Sequence, residues 1–225
     1  ASLIFSDVPG NNLSFIASGP TVRDNTTIDD ALELLKKYNL LAKLGLSYED
    51  FVENPKEEIY FENVSNILIL SNQTALEAMK KKAQDLGFAA NIYSYKFQAE
   101  ARKAGEELIK NTKNGTILLV GGETTVKVTG AGAGGRNQEV ILGALSFLDG
   151  NTLISSFDSD GWDNSHFAGA IGDIETVKKA KELNLNPQEF LDSDSSLSFF
   201  EKTGDGIETG RLPSNVSDLI IVCKF

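Results

Sequence analysis

Two periodicities take turns along this chain. Short apolar runs of the kind that form buried strands occur at residues 2–6, 66–70, 91–95, 116–120, 152–157 and 219–222. Between them lie segments with the one-face spacing of an amphipathic helix. Ile28, Ala31, Leu32 and Leu35 fall at i, i+3, i+4 and i+7, introduced by Thr27 with Asp30 three positions on, a reciprocal capping pair. Leu76, Met79, Ala83 and Leu86 define the next face, with Asn72 read as its cap and Gly87 as its stop. Helices are also predicted at 99–110, 137–148 and 174–183, the second with a buried face of Val140, Ile141, Ala144, Leu145 and Leu148. An alternating, half-exposed hairpin strand is expected at 124–128. The alternation of strands and helices predicts an α/β fold with parallel or mixed sheets and flanking helices. The turn at 112–115 is the best boundary, dividing the chain into 1–113 and 114–225. There are no internal repeats and no low-complexity linkers.

Composition narrows the picture. At 41% hydrophobic and 24% charged over 225 residues, the chain is ordinary for a globular protein. No apolar stretch reaches the roughly 18 residues of a membrane helix. The opening ASLIFSDVPG lacks the basic region and long apolar core of a leader, and reads as a strand with no lead-in, so the chain is expected to begin mid-fold. One cysteine, Cys223, permits no internal disulfide and fits a reducing cytoplasm. The net charge of −11 argues against a nucleic-acid partner. It leaves room for a small anion, because a few oriented N–H groups and one Arg suffice to hold phosphate. With His166 the lone histidine, any metal would be a hard cation held by oxygens.

The strongest chemical signal is GGETTVKVTGAGAGGRNQE, residues 121–139. Gly130, Gly132, Gly134 and Gly135 allow close approach of backbone to a ligand. A helix begins directly afterwards, and its free amides and dipole favour an anion. Arg136 adds a guanidinium fork suited to phosphate or carboxylate. The bland reading is a mobile loop that binds nothing. Gly130, Gly132 and Gly135 also fit the dinucleotide pattern G-x-G-x-x-G, but no acidic residue is clearly placed some 20 positions on, and GxxxxGK[ST] is absent. A second signal is Asp158, Asp160 and Asp163 in DSDGWD, just past a strand, able to hold Mg²⁺ or accept a hydroxyl proton, or simply to form a solvated turn. Asp7, just past the first strand, is either catalytic or a loop cap. Asn215 and Asp218 precede the last strand, where turn chemistry explains them adequately. Trp162 could stack on an adenine or be partly buried; Phe199 and Phe200 read as core.

Together these segments resemble the type-2 glycerate kinase family with its C-terminal MOFRL domain. GGETTVKVTGAGAGGRNQE, SDGWDNSHFAGAI, DSDSSLSFF and TGRLPSNVSDLIIV match family blocks in order, and SDVPGNNLSFIASGPT and SNQTALEA resemble the end of its Rossmann-like N-terminal domain. Asn11 and Asn12 stand where the family usually has Asp, and Arg211, Leu212 and Pro213 replace a glycine- and threonine-rich turn. The resemblance implies a cytoplasmic kinase with two sub-domains facing a cleft, transferring phosphoryl from ATP, with Mg²⁺, to D-glycerate to give 2-phosphoglycerate. It implies catalytic roles for Arg136, Asp160 and Asp7, and metal ligation by Asp160 and Asp163. It implies substrate or nucleotide contacts at Gly121, Gly122, Glu123, Gly134, Gly135, Asn137, Ser18, Gly19, Asn72 and Asn215. The family's Gly-Lys motif has no counterpart here, so a missing N-terminal segment or second chain is expected, as is a homo-oligomer. The alternatives are a non-catalytic fragment binding anions and an NAD(P)-dependent hydroxypyruvate reductase.

Overall fold

A computed structural model describes residues 1–225. In chain order the regular elements are β1 (Ser2–Phe5), α1 (Ile28–Lys37), α2 (Leu40–Leu44), β2 (Asn66–Leu70), α3 (Asn72–Asp85), β3 (Ala89–Phe97), α4 (Ala101–Asn111), β4 (Thr116–Gly122), α5 (Arg136–Ala144), β5 (Thr152–Asp158), β6 (Gly169–Gly172), α6 (Ile174–Glu182), α7 (Pro187–Asp192), α8 (Ser196–Thr203), β7 (Gly206–Ile207) and β8 (Asp218–Lys224). The chain divides into two compact units, one of residues 1–4 and 12–68, the other of residues 5–11 and 69–225. The expected boundary at 113/114 is not a seam. β3 pairs in parallel with β4 across it, so everything from α3 onward belongs with the second unit.

In the first unit, α1 begins as its sequence predicts. The Asp30 N–H donates to Thr27 Oγ1 at 3.3 Å, and the Thr27 N–H returns a bond to Asp30 Oδ2 at 2.8 Å. Ser18 and Gly19 lie in this unit, in a turn where Ala17, Ser18 and Gly19 all have left-handed φ (49°, 64° and 66°). They line a recess of about 230 Å³ with Pro20, Asp24, Asn54 and Tyr60.

The second unit is built on a six-stranded sheet of order β3-β4-β8-β5-β6-β7. The fold is mixed α/β, as expected, but only β3/β4 is parallel; the other neighbours are antiparallel. The closing strand explains this. β4 and β5 run alongside each other through helical crossovers, yet β8 inserts between them in the opposite sense, a placement that strand–helix alternation does not encode. Side chains of β4 and β8 alternate faces. Leu118, Val120, Ile220 and Val222 join α4, α5, α7 and α8 in the main core, while Leu119 and Leu219 meet Leu76 of α3 on the opposite face. Phe199 and Phe200 are fully buried, as their sequence suggested. The hairpin strand expected at 124–128 does not form; Thr125 makes only an isolated bridge to Glu100. α7 and α8 are absent from the predicted elements, although Asn186 caps α7 ahead of Pro187 at its first position.

Candidate active site

Sheet register brings the site together. Gly122 at the end of β4 and Asp158 at the end of β5 both pair with Asp218, the first residue of β8. Two strand ends and one strand start therefore lie in one row. Arg136, the first residue of α5, reaches into that row. Its Nε donates to Asp218 Oδ2 at 2.7 Å, and its Nη2 donates to Asp218 Oδ1 at 3.0 Å and Asp158 Oδ2 at 3.1 Å. Its Nη1 lies 3.0 Å from Glu123 Oε1. A guanidinium has five N–H donors. Three of them are taken by Asp218 and Asp158, and the Nη1 end, ion-paired with Glu123 but not hydrogen-bonded to it, keeps its donors for a ligand.

Electrostatics follow from the grouping. Burial disfavours the Arg136 cation, but the bonds to Asp218 and the charges of Glu123 and Asp158 more than offset it, holding its pKa above the ordinary value. Burial also pushes the Asp158 carboxyl up to about 7, helped by repulsion from Asp218 and Asp160 and opposed by the Asp160 N–H and Arg136. Asp158 and Asp218 are the site residues whose weight the sequence did not convey. Their only sequence signal was an acid at a strand terminus.

Several expectations change here. The start of α5 is not the open anion site its sequence predicts, because Asp163 fills it. Asp163 Oδ1 accepts the Asn137 N–H at 3.1 Å and Oδ2 accepts the Gln138 N–H at 2.9 Å, with Gln138 Nε2 adding a further bond at 3.1 Å. A carboxylate whose two oxygens are occupied in this way is a helix cap and does not fit a metal-ligand role. Burial raises its pKa to about 6 against the pull of those amides. Asp160 closes its own turn, with Oδ1 accepting the Trp162 N–H at 2.8 Å. No group of three His, Cys, Asp or Glu side chains is arranged to hold a metal ion. With both Asp163 oxygens committed to the amides of α5, Asp160 and Asp163 do not form the paired Mg²⁺ site implied by the resemblance.

Asn137 is fully buried and cannot touch a ligand; it donates to Asp218 Oδ1 at 2.8 Å and accepts from Ser156. Asn72 is not the cap of α3, which starts after Ser71. Its Nδ2 donates instead to the Tyr95 carbonyl at 2.6 Å, and its buried Oδ1 has no partner. Gly121 and Gly122 pack closely inside the protein: a Cβ on Gly121 would meet Leu76 Cδ1 at 2.8 Å, and one on Gly122 would strike the Phe97 backbone. The glycines of the loop serve packing too. Gly130 and Gly132 lie against the backbone of Ser193, Gly134 against Ser196, and Gly135 against Asp163.

What remains exposed is two adjoining spaces. A cavity of about 510 Å³ is walled by Thr124–Val126, Gly132, Gly134, Gly135, Asp158 and Trp162. A recess of about 300 Å³ is lined by Asp7, Val8, Pro9, Asn215 and Ser217. Arg136 and Glu123 line both. Asp7, Asn215, Glu123 and Arg136 thus line one recess. Trp162 stays half-exposed beneath the Arg211 guanidinium, 4.2 Å from its ring centre, which gives it a cation–π partner already.

The fold and site define a mixed α/β protein with an arginine–carboxylate centre where two binding spaces meet. Residues 116–218 match the MOFRL family, and residues 1–53 match a domain of unknown function, DUF4147. The chain is 38% identical over 239 residues to the glycerate 2-kinase of Pyrococcus horikoshii, covering 97% of this chain and 54% of that protein. It is 34% identical over 235 residues to a putative hydroxypyruvate reductase of Agrobacterium vitis, covering 97% and 60%. The crystal structure of the glycerate kinase of Thermotoga maritima superposes with a TM-score of 0.88 at 35% identity, over 99% of this chain and 56% of that one. The chain belongs to the type-2 glycerate kinase family. It spans about half the length of the curated relatives it matches.

Proposed function

We propose that this chain carries part of the active site of an ATP-dependent glycerate 2-kinase. The observation that carries the reading is that one guanidinium, that of Arg136, borders two adjoining spaces. A phosphoryl-transfer enzyme needs its donor and acceptor to meet in line at a point of positive charge. The smaller recess suits a three-carbon hydroxy acid. The Nη1 end of Arg136 meets its carboxylate or the arriving phosphoryl group, and Asp7, Glu123 and Asn215 accept from its hydroxyls. The larger cavity takes the nucleotide. In the transfer, the bond from the γ-phosphorus to the bridging oxygen of ADP breaks, a bond to the glycerate hydroxyl oxygen forms, and the hydroxyl proton passes to the Asp7 carboxylate.

One guanidinium among three carboxyls leaves the centre net negative even with Asp158 partly protonated near neutral pH. It does not draw in a polyphosphate unaided, and further positive charge is needed. The Gly-Lys segment implied by the family resemblance would supply it from another segment or chain. Cytoplasmic location and homo-oligomeric assembly belong to the same reading. No helix here is long and apolar enough to cross a membrane.

A coupled ADP-release assay with D-glycerate, ATP and Mg²⁺ tests the proposal, and phosphorus NMR of the product identifies the hydroxyl. ADP release that depends on D-glycerate supports it. NADH oxidation with hydroxypyruvate, without ADP release, would replace it with a reductase. The geometry favours the kinase. The dinucleotide pattern needs a parallel strand running into its glycines, and no strand forms at 124–128. ATP binding without turnover would favour a non-catalytic, anion-binding chain.

A further inference from the structure

The glycine loop is held by a second arginine–carboxylate group, separate from the Arg136 centre. Asp194 sits in the turn between α7 and α8 with φ 54°, a left-handed conformation that Asp tolerates better than most residues. Its side chain is only 7% exposed. Its Oδ2 accepts two successive loop amides, the Thr129 N–H at 2.6 Å and the Gly130 N–H. These bonds, the Gly130 amide foremost, hold the Asp194 carboxyl below its usual pKa. Its Oδ1 faces Arg102 Nη2 at 3.4 Å. Arg102 also donates from Nε to Glu139 Oε1 at 2.9 Å, and so ties the turn to α5, the helix that Arg136 begins. Two backbone bonds continue the seam: Gly132 N–H to the Ser193 carbonyl, and Leu197 N–H to the Ala133 carbonyl, both at 3.0 Å.

We propose that Asp194, backed by Arg102, is a positioning residue that clasps the glycine loop in place as the wall of the larger cavity and thereby sets its affinity for nucleotide. The effect on nucleotide rests on the kinase reading; the clasp itself does not. The loop's own residues cannot supply this order. They include four glycines between positions 130 and 135, and glycine loses the most backbone freedom on ordering. An anionic acceptor for two adjacent amides is the strongest tie the loop has, since bonds to a charged group are roughly twice as strong as neutral ones. The amides keep that acceptor ionised, and Arg102 adds to this and aims it.

The test is amide hydrogen exchange on the intact protein and its Asp194→Ala, Asp194→Asn and Arg102→Lys variants, with the KM for ATP and kcat measured alongside. Near-UV circular dichroism confirms that each variant is folded. In Asp194→Ala, exchange at residues 129–133 rises at least ten-fold while β4 and β8 keep their protection. The KM for ATP rises about ten-fold while kcat stays within about three-fold. Asp194→Asn keeps an oxygen for the two amides and lies between the two. If Asp194→Ala is not folded, Asp194→Asn and Arg102→Lys decide on the same readouts. Unchanged exchange at 129–133 in the folded variants overturns the clasp, and freed amides with an unchanged KM overturn its link to nucleotide. A parent protein without kinase turnover, whose loop is still released in Asp194→Ala, would remove the kinase reading and leave the clasp standing.

Discussion

Arg136 and Asp218 meet through two nearly parallel bonds, Nε to Oδ2 at 2.7 Å and Nη2 to Oδ1 at 3.0 Å, although 82 residues separate them in sequence. Such a two-point pairing fixes the plane of the guanidinium as well as its place. Asp218 is held in turn by Asn137 Nδ2 at 2.8 Å. The Nη1 end of Arg136, which makes no hydrogen bond, therefore points in a set direction, on a side chain that remains 30% exposed.

That arrangement makes the fork matter as well as the charge. Arg136→Ala should lower kcat by about 10³-fold, the scale seen when an arginine that stabilises phosphoryl transfer is lost. Arg136→Lys keeps the charge but cannot bridge Asp218 and Asp158 together, and should recover only a small part of the rate. Steady-state kinetics with ATP and D-glycerate provide the check. Normal turnover in Arg136→Ala would remove the guanidinium from the chemistry.

The buried acids give an unusual stability profile. Asp158 is pushed up to about 7 and Asp163 to about 6, from an ordinary value of 3.8. Between about pH 4 and 7 the folded protein therefore holds protons that the unfolded chain has released, and stability must fall as pH rises through this window. The carboxyls with lowered pKa, such as Asp24 and Asp194, act the other way only below about pH 4. Melting temperature should decline from pH 5 to pH 8, and Asp158→Asn should flatten the slope. A melting temperature that climbs across this range in the parent protein contradicts the burial of both carboxylates.

Asp163 separates two roles in one measurement. As the cap of α5 it satisfies two backbone amides, so Asp163→Ala should destabilise the protein by about 1–2 kcal/mol in urea titration. As a metal ligand it would instead set the Mg²⁺ concentration needed for half-maximal rate. We expect that concentration to be unchanged in Asp163→Ala while the urea midpoint drops. The opposite pattern would restore the metal role.

Much of this architecture could be read directly from residue spacing. Most strands and helices fall within a few residues of the periodic segments, and the Thr27/Asp30 box forms as written. Local patterns missed what depends on partners distant in the chain. The 124–128 segment alternates like a strand, yet finds only one bridge, because β8 already occupies the open side of β4. Asp163 reads as a loop acid until the fold carries it 26 residues back to the Asn137 amide. Asp158 and Asp218 look like turn residues until antiparallel register sets them side by side. The glycine run was legible as special backbone, but its close approach is to the turn at 193–196 and to Asp163.

That last distinction can be tested with a pair of alanines. A Cβ on Gly132 would lie 2.5 Å from the Ser193 carbonyl oxygen and 2.6 Å from that of Asp194, both backbone atoms that cannot rotate away. A Cβ on Gly150, in the turn before β5, would meet nothing within 4 Å, and Gly150 is not in a left-handed conformation. If the loop glycines served mobility alone, the two substitutions would behave alike. Close packing predicts that they differ. Gly132→Ala should push the loop off the α7–α8 turn, lowering stability by about 1–3 kcal/mol, the usual range for overpacking, and raising the KM for ATP. Gly150→Ala should leave both within error, as surface changes away from such contacts usually stay inside about 0.5 kcal/mol. Urea midpoints and KM values for the two variants, measured together, decide between a loop that is free and a loop that is fitted.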